Sequence, residues 1–416
     1  MVDDVAQEVL RQVAEIGAKD LNWKQGRAFS LAYYAGADVQ EVADQALAMY
    51  ASTNGLNADA FPSLKKFQSE VVQMVSAWVH GGDESAGFMT SGGTESILLA
   101  VKGSRERGRQ EKGITTPNVV LPTSAHAAFE KACYYFGLES RRIAVDAEWR
   151  ADVTAMSAAI DSNTVLLVGS APQYPQGVID PISEIASLGL SMDINVHVDA
   201  CMGGVTLPFL ERLGVPITPW DFRVDGVTSI SVDLHKYGYT AKGASVILHR
   251  SKKLRSYQTF VTDNWLGGFY GSSGVLGTKS GGPMAAAWAV MNYLGDAGYL
   301  RLTKAAYDAC QQLADAIEQF PELQLRARPD STLLSFGASE SNNDSSPMFD
   351  IYAVADLLAQ RGWYVDKQSP PASLHCTVNA VHGAVIDDFL IDLRWAVDEV
   401  LTHDSRGERG SYGTIE

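Results

Sequence analysis

Basic residues are scarce: 33 Lys and Arg stand against 49 Asp and Glu, a formal charge of −16. That balance argues against nucleic acid or an anionic membrane as a bulk partner, since either calls for a surplus of positive charge. Any anionic ligand must be held by a local site. Cysteine is sparse too. Cys133, Cys201, Cys310 and Cys376 are widely spaced with no CxxC pair, which argues against a disulfide framework and a structural zinc site. Histidines such as His80, His249 and His403 show no metal-like spacing, so no metal is expected. Long apolar runs are missing. The longest uncharged stretch, Ser280 to Gly295, contains Pro283 and Asn292 and falls short of the roughly 20 apolar residues of a spanning helix; it reads as a buried helix. Met1-Val2-Asp3-Asp4 is acidic and leads into Val5, Val9, Val13 and Ile16 at helical spacing, unlike the basic-then-apolar order of a signal peptide. The expectation is a cytoplasmic protein with no transmembrane anchor.

What is present is ordinary globular composition, 46% hydrophobic and 20% charged over 416 residues, without internal repeats. From about Phe88, β-rich runs alternate with helical patterns. Asn118-Leu121, Arg142-Val145, Thr164-Val168, Asn195-Val198, Val227-Val232 and Ser245-His249 read as strands. Thr94-Arg107, Ala125-Phe136, Val153-Ile160 and Ile182-Leu188 read as helices. This order predicts an α/β fold with a mainly parallel sheet. After Gly281-Gly282-Pro283 the pattern turns helical, with Tyr299 to Phe320 amphipathic, and a short α+β segment follows through Leu333-Ser335 and Trp363-Val365. The division expected is an N-terminal segment (1–60), a large domain (61–297) and a smaller C-terminal α+β domain (298–416). Ser339 to Pro347 reads as an exposed loop, and Asp404 to Glu416 as a frayed tail.

Four short patterns carry chemistry. Thr90-Ser91-Gly92-Gly93-Thr94-Glu95-Ser96 precedes a helix; its glycines, free N–H groups and hydroxyls suit a phosphate, although a plainly capped helix has the same pattern. Ser124-Ala125-His126-Ala127-Ala128-Phe129 sets a histidine among small residues, leaving room for a flat ring against the imidazole; alone, it reads as a structural histidine. In Val196-His197-Val198-Asp199, the acid ends a buried strand at the edge where α/β sheets bind ligands. It either caps the next helix or meets a cation such as a protonated pyridine nitrogen. In Ser229-Ile230-Ser231-Val232-Asp233-Leu234-His235-Lys236, a strand runs into a lysine followed by Tyr237 and Tyr239. A desolvated lysine suits Schiff-base formation, and His235 and Ser231 are candidate phosphate contacts.

Taken in order, these patterns resemble the fold-type I enzymes of pyridoxal 5′-phosphate (PLP). The wording is similar to the sphingosine-1-phosphate lyase family, within the group that includes the amino-acid decarboxylases. The resemblance runs from about Tyr34 to His382 and rests on the phrases above with Ala171-Pro172-Gln173-Tyr174-Pro175, Gly177-Val178-Ile179-Asp180-Pro181 and His235-Lys236-Tyr237-Gly238-Tyr239. It implies a PLP-dependent transferase-like fold. It further implies that Lys236 bears PLP as a Schiff base, Asp199 pairs with the pyridine nitrogen, His126 stacks on the ring, and Gly93, Thr94 and His235 hold the cofactor phosphate. Tyr34 and Lys242 are placed near a substrate phosphate and Tyr174 near the reacting carbons. It also implies a homodimer with shared active sites, in which the turn Gly277-Thr278-Lys279-Ser280-Gly281-Gly282 reaches the neighbouring subunit.

The chain departs from the family pattern at four positions. Asn57 stands for a phosphate-binding His, Gln176 for a His, Ala241 for a Pro and Lys279 for an Arg. A neutral Asn57 weakens a charge-assisted contact to a substrate phosphate. The implied activity is retro-aldol cleavage of an amine, a phosphorylated sphingoid long-chain base, to a fatty aldehyde and phosphoethanolamine. The alternatives are a PLP-dependent amino-acid decarboxylase and a non-catalytic PLP-binding scaffold.

Overall fold

The computed structural model describes residues 4–57, 59–339, 349–403 and 405–410. All but Ser339 of the loop expected at Ser339 to Pro347, and most of the expected tail, lie outside the described residues. Three helices come first: α1 (Asp4–Ile16), α2 (Ala37–Tyr50) and α3 (Pro62–Trp78). The α/β unit then runs β1 (Ala86–Thr90), α4 (Gly93–Lys112), β2 (Asn118–Pro122), α5 (Ala128–Phe136), β3 (Glu139–Ile143), α6 (Val153–Ala159), β4 (Thr164–Ser170), α7 (Ile182–Ser191), β5 (Asn195–Asp199), α8 (Gly203–Arg212), β6 (Ser229–Asp233) and β7 (Ser245–His249).

These strands form one seven-stranded sheet in the order β1-β7-β6-β5-β4-β2-β3. Only β7 runs antiparallel, to β1 and β6; the other pairings are parallel. Strands β2, β4, β5, β6 and β7 are buried along their whole length, as expected of strands covered on both faces by helices. Their near-continuous Val, Ile and Leu made them recognisable, and α/β is the observed class. The sheet's shape matters for function: parallel strands deliver their carboxyl ends, and whatever follows them, to one edge.

After α9 (Lys252–Ser256), a hairpin of β8 (Phe260–Thr262) and β9 (Tyr270–Ser272) precedes α10 (Gly282–Ile317), which breaks at Gly295. Ser280 to Gly295 is thus mainly helical, and it packs Met284, Ala287, Val290 and Met291 into the main core. A second antiparallel sheet, β10-β11-β13-β12, follows. It consists of β10 (Leu323–Leu325), β11 (Leu333–Ala338), β12 (Asp366–Gln368) and β13 (Ser373–Thr377), packed with α11 (Ile351–Gln360) and α12 (Ile386–His403) around its own apolar cluster.

Two expectations shift, the first being the strand expected at Arg142-Val145, which begins three residues earlier and spans Glu139–Ile143. Trp363-Val365 is not the strand: Trp363 is buried as an apolar anchor, Tyr364 makes a single bridge to Ala28, and the ladder is built by the polar run Asp366–Gln368. Apolar content located the core contact there, while backbone pairing began one residue beyond it.

The loop after β4 is tied to the second sheet at Gly177. Its φ is +78°, and a Cβ there would lie 2.1 Å from the Leu333 carbonyl oxygen. Gly177→Ala is therefore expected to destabilise the fold by about 2 kcal/mol or more. Chemical denaturation measures this, and a change within about 0.5 kcal/mol would contradict the close approach.

Candidate active site

Register places the chemistry along one edge of the large sheet. Ser170 at the end of β4 pairs with Asp199 at the end of β5, Asp199 with Ser231 of β6, and Asp233 at the end of β6 with Ser245 of β7. Ser245 in turn pairs with Thr90, the last residue of β1. The turn that starts α4, the loop carrying Tyr174, Asp199 and Lys236 consequently leave the sheet side by side.

At the centre, the Lys236 ammonium lies 3.0 Å from the Asp233 carboxylate. Burial pushes the lysine's pKa down, but Asp233 overcomes it and the net shift is upward. Burial raises Asp233's pKa, yet Lys236, His235 and a 2.5 Å hydrogen bond from Ser245 bring the net shift downward. His235 stands 3.8 Å from the same carboxylate. From sequence Asp233 reads only as part of a strand; its position three residues before Lys236 is the available signal.

Asp199 is 8% exposed and is held through one oxygen, which accepts from the Ser231 hydroxyl at 3.3 Å and the Cys201 N–H at 3.1 Å. Ser231 also contacts His197 Nε2 at 3.1 Å, and His197 Nδ1 lies 2.9 Å from the Ser229 hydroxyl. Burial drives His197 down to about 4, partly offset by Asp199, so this ring is neutral. Ser231 is thus committed beneath Asp199, which corrects its reading as a phosphate contact: its hydroxyl is taken up by Asp199, His197 and the Cys201 thiol.

His126 follows β2. Its Nδ1 accepts from the Ala128 N–H at 3.0 Å, and burial lowers its pKa, opposed by Asp199 and reinforced by Lys236. A neutral, flat imidazole beside those two residues suits stacking. At the start of α4 the Gly93 position is closely walled: a Cβ would come 2.7 Å from Cys201 Sγ and 2.8 Å from Asp233 Oδ2. Gly92 sits against His235, and Thr94 is exposed at the first turn. The buried Ser124 hydroxyl, next to His126, has no partner among the described residues. A helix start with unpaired N–H groups, a glycine wall, a neutral ring and an acid at a strand end fit a phosphorylated pyridine carried on Lys236.

The remaining expected residues divide. Lys242 donates to the His235 carbonyl at 3.3 Å and lies 5.0 Å over the Tyr33 ring. Burial and Lys236 push its pKa down to about 8, against the pull of Asp233. The side chain beside Lys242 is therefore Tyr33, which also meets Tyr237 edge-on at 5.1 Å. Tyr34, the residue expected there, packs edge-on against Trp23 at 5.7 Å. Adjacent residues point apart, so a one-residue shift in alignment exchanges the two. Asn57 turns back on its own loop, accepting from the Asp59 N–H at 3.0 Å. That loop is joined to the Lys279 turn through the Asn54–Ser280 bridge and the Gly55 N–H to Lys279 carbonyl bond at 2.8 Å. Lys279 lines a cavity of about 280 Å³ with Thr90, Ser91 and Gly243, and burial lowers it to about 8 despite Glu95.

Comparison with known proteins agrees with this geometry. The pyridoxal-dependent decarboxylase conserved domain matches residues 3–339. Sphingosine-1-phosphate lyase of Arabidopsis thaliana is 42% identical over 94% of this chain and 72% of its own. Sphingosine-1-phosphate lyase 1 of Rattus norvegicus is 40% identical over 95% of this chain and 68% of its own. The chain belongs to the sphingosine-1-phosphate lyase family. In that family, the solved structure of Burkholderia pseudomallei sphingosine-1-phosphate lyase superposes with a TM-score of 0.89 at 36% identity, covering 94% of this chain and 90% of that one. Lactobacillus brevis glutamate decarboxylase shares the fold at 20% identity, with a TM-score of 0.81 over 94% and 92% of the two chains. Family membership identifies the protein as a PLP-dependent enzyme.

Gly93→Val tests the cradle. The added side chain meets Asp233 and Cys201, so the expected outcome is a PLP dissociation constant raised at least about tenfold, equivalent to about 1.4 kcal/mol, with an unchanged circular dichroism spectrum. Wild-type cofactor affinity in this variant would remove the Gly93 wall from the site.

Proposed function

We propose that this protein cleaves a phosphorylated sphingoid base between its amine-bearing carbon and the adjacent hydroxyl-bearing carbon, giving a long-chain aldehyde and phosphoethanolamine. The observation that carries this reading is the cluster of Lys242 and Tyr33 beside Lys236, in a chain 42% identical to a sphingosine-1-phosphate lyase.

Position supports a set of roles. Lys236 would carry PLP, Gly93, Thr94 and His235 would hold its phosphate, His126 would stack on its ring, and Asp199 would pair with its pyridine nitrogen. When bound, the cofactor supplies an electron sink for the broken bond. Asp199 is suited to its role because it is buried at a strand end with neutral His197 and Ser231 behind it, leaving a carboxylate to keep a nearby nitrogen protonated. Tyr174 and Lys236 serve the proton transfers. Lys242 takes the substrate phosphate by a charge-assisted bond, with Tyr33 alongside in the place expected of Tyr34. Asn57 contributes no charge of its own.

The reading includes a homodimer with shared active sites. Apolar side chains uncovered on α1 (Val5, Val9, Val13) and on the β8–β9 hairpin (Trp265, Leu266, Phe269) support it, as does the position of the Lys279 turn. A cytoplasmic location belongs to the same reading, supported by four buried, unpaired cysteines. No helix among the described residues is long and apolar enough to cross a membrane.

The test is incubation of holoenzyme with a phosphorylated sphingoid base and, separately, with amino acids, assaying aldehyde and carbon dioxide beside Lys236→Ala. Aldehyde from wild type and none from Lys236→Ala is expected; carbon dioxide without aldehyde would move the protein to the decarboxylases.

Lys242 adds a pH signature. Its pKa is lowered to about 8, so it is cationic below that pH and neutral above it. The KM for a phosphorylated base should rise as pH passes through about 8, and Lys242→Met should flatten that rise at a higher KM. A wild-type KM constant across this range would separate Lys242 from phosphate binding.

A further inference from the structure

Tyr174 is gripped from outside the large sheet. It lies four residues beyond the end of β4, in a loop whose Ala171 N–H is bonded to the Asp199 carbonyl at 2.9 Å, so it passes the strand end that bears Asp199. Its hydroxyl donates to Asp366 Oδ2. The Ser30 hydroxyl donates to that same oxygen at 2.6 Å and stands 3.3 Å from the Tyr174 oxygen. Asp366 opens β12 and pairs across the ladder with His375 of β13. Ser30 follows Phe29, which is pinned on both its backbone groups: its N–H bonds to the Tyr364 carbonyl at 2.9 Å and its carbonyl accepts from the Thr377 N–H at 2.6 Å. The N-terminal segment and the second sheet therefore converge on one phenol.

The His375 ring lies against the Tyr174 ring, centroids 4.0 Å apart. His375 Nε2 is 2.9 Å from the Thr377 hydroxyl and Nδ1 is 3.3 Å from the Pro175 carbonyl. Burial pushes His375 down to about 4, against Asp366. Titratable groups that feel Asp366 include Tyr174, through its hydroxyl, the neutral His375 and the buried Cys376 thiol.

A tyrosine whose ring is clamped and whose proton is committed to a carboxylate presents its oxygen as an acceptor. We infer that Asp366 is the terminal proton acceptor for the cleavage, acting through Tyr174, with Ser30 holding the carboxylate in line. This rests on the cleavage reading above and assigns its base. The substrate's hydroxyl proton passes to the Tyr174 oxygen as Tyr174's own proton passes to Asp366. The O–H electron pair becomes the second bond of the aldehyde carbonyl, and the pair of the broken carbon–carbon bond leaves with the amine-bearing carbon. That carbon later takes up one proton, balancing the one delivered to Asp366. Asp366 touches no reacting atom and is a positioning residue in this scheme.

Three measurements on holoenzyme test it. In turnover, Asp366→Asn lowers kcat about 100-fold and loses the acid limb of its pH profile, Asp366→Glu recovers part of both, and Tyr174→Phe with Asp366→Asn is no worse than the poorer single variant. In equilibrium binding, an amine-free phosphorylated long-chain alcohol, which cannot be cleaved, binds wild type about fivefold tighter than its deoxy counterpart; Tyr174→Phe and Asp366→Asn each abolish that preference. Thermal unfolding checks that both variants fold. An Asp366→Asn protein within about twofold of wild-type kcat, a wild-type acid limb, or multiplicative losses in the double variant overturns the inference while leaving the cleavage reading intact. Absence of aldehyde from wild type itself overturns the cleavage reading, and the inference with it.

Discussion

Asp233 and Lys236 form a mostly buried ion pair at 3.0 Å, and the cofactor half of the site is built around it. A buried carboxylate without a partner is costly, and removing one member of such a pair leaves the other uncompensated. The backbone answers that demand twice. β6 ends on Asp233, so the turn returns Lys236 to it, and antiparallel β7 begins with Ser245, whose hydroxyl completes the carboxylate's shell. The same pair dictates its surroundings: Gly93 leaves no room for a Cβ, and the small thiol of Cys201 closes the wall. The helix start that suits a phosphate is thereby brought against the lysine.

The substrate half is assembled differently. Tyr237 donates to the Val378 carbonyl at 2.8 Å, and the Tyr239 hydroxyl accepts from the Ala380 N–H at 3.2 Å, so the two tyrosines after Lys236 tie its loop to the C-terminal part of the chain. Tyr33, Ser30 and Asp366 reach the site from the two ends of the sequence. Asp199, Asp233 and Lys236 gather at one sheet edge, while Ser30, Tyr33 and Asp366 come from segments that meet only in the folded molecule.

This division explains what was legible beforehand. Asp199 and Lys236 sit at the ends of β-branched runs, and the α4 turn carries its own glycines, so local pattern and chemistry coincide. Which of Tyr33 and Tyr34 turns toward Lys242 was not legible, because the segment around them lies outside regular structure and no periodicity sets its phase. Ser231 suggests a ligand contact by its polarity, whereas its hydroxyl is occupied by Asp199 and His197 of the neighbouring strand. Asp366 carries no signal in its neighbourhood; it acquires a role only because β12 pairs with β13 and brings it to Tyr174, 192 residues away.

Everything rests on Lys236 being the residue that bears the cofactor. Borohydride reduction of the PLP-loaded enzyme, followed by peptide mass mapping, tests this directly. The account predicts a single reduced phosphopyridoxyl adduct on Lys236. An adduct on Lys242, Lys279 or any other lysine, with Lys236 unmodified, would contradict it.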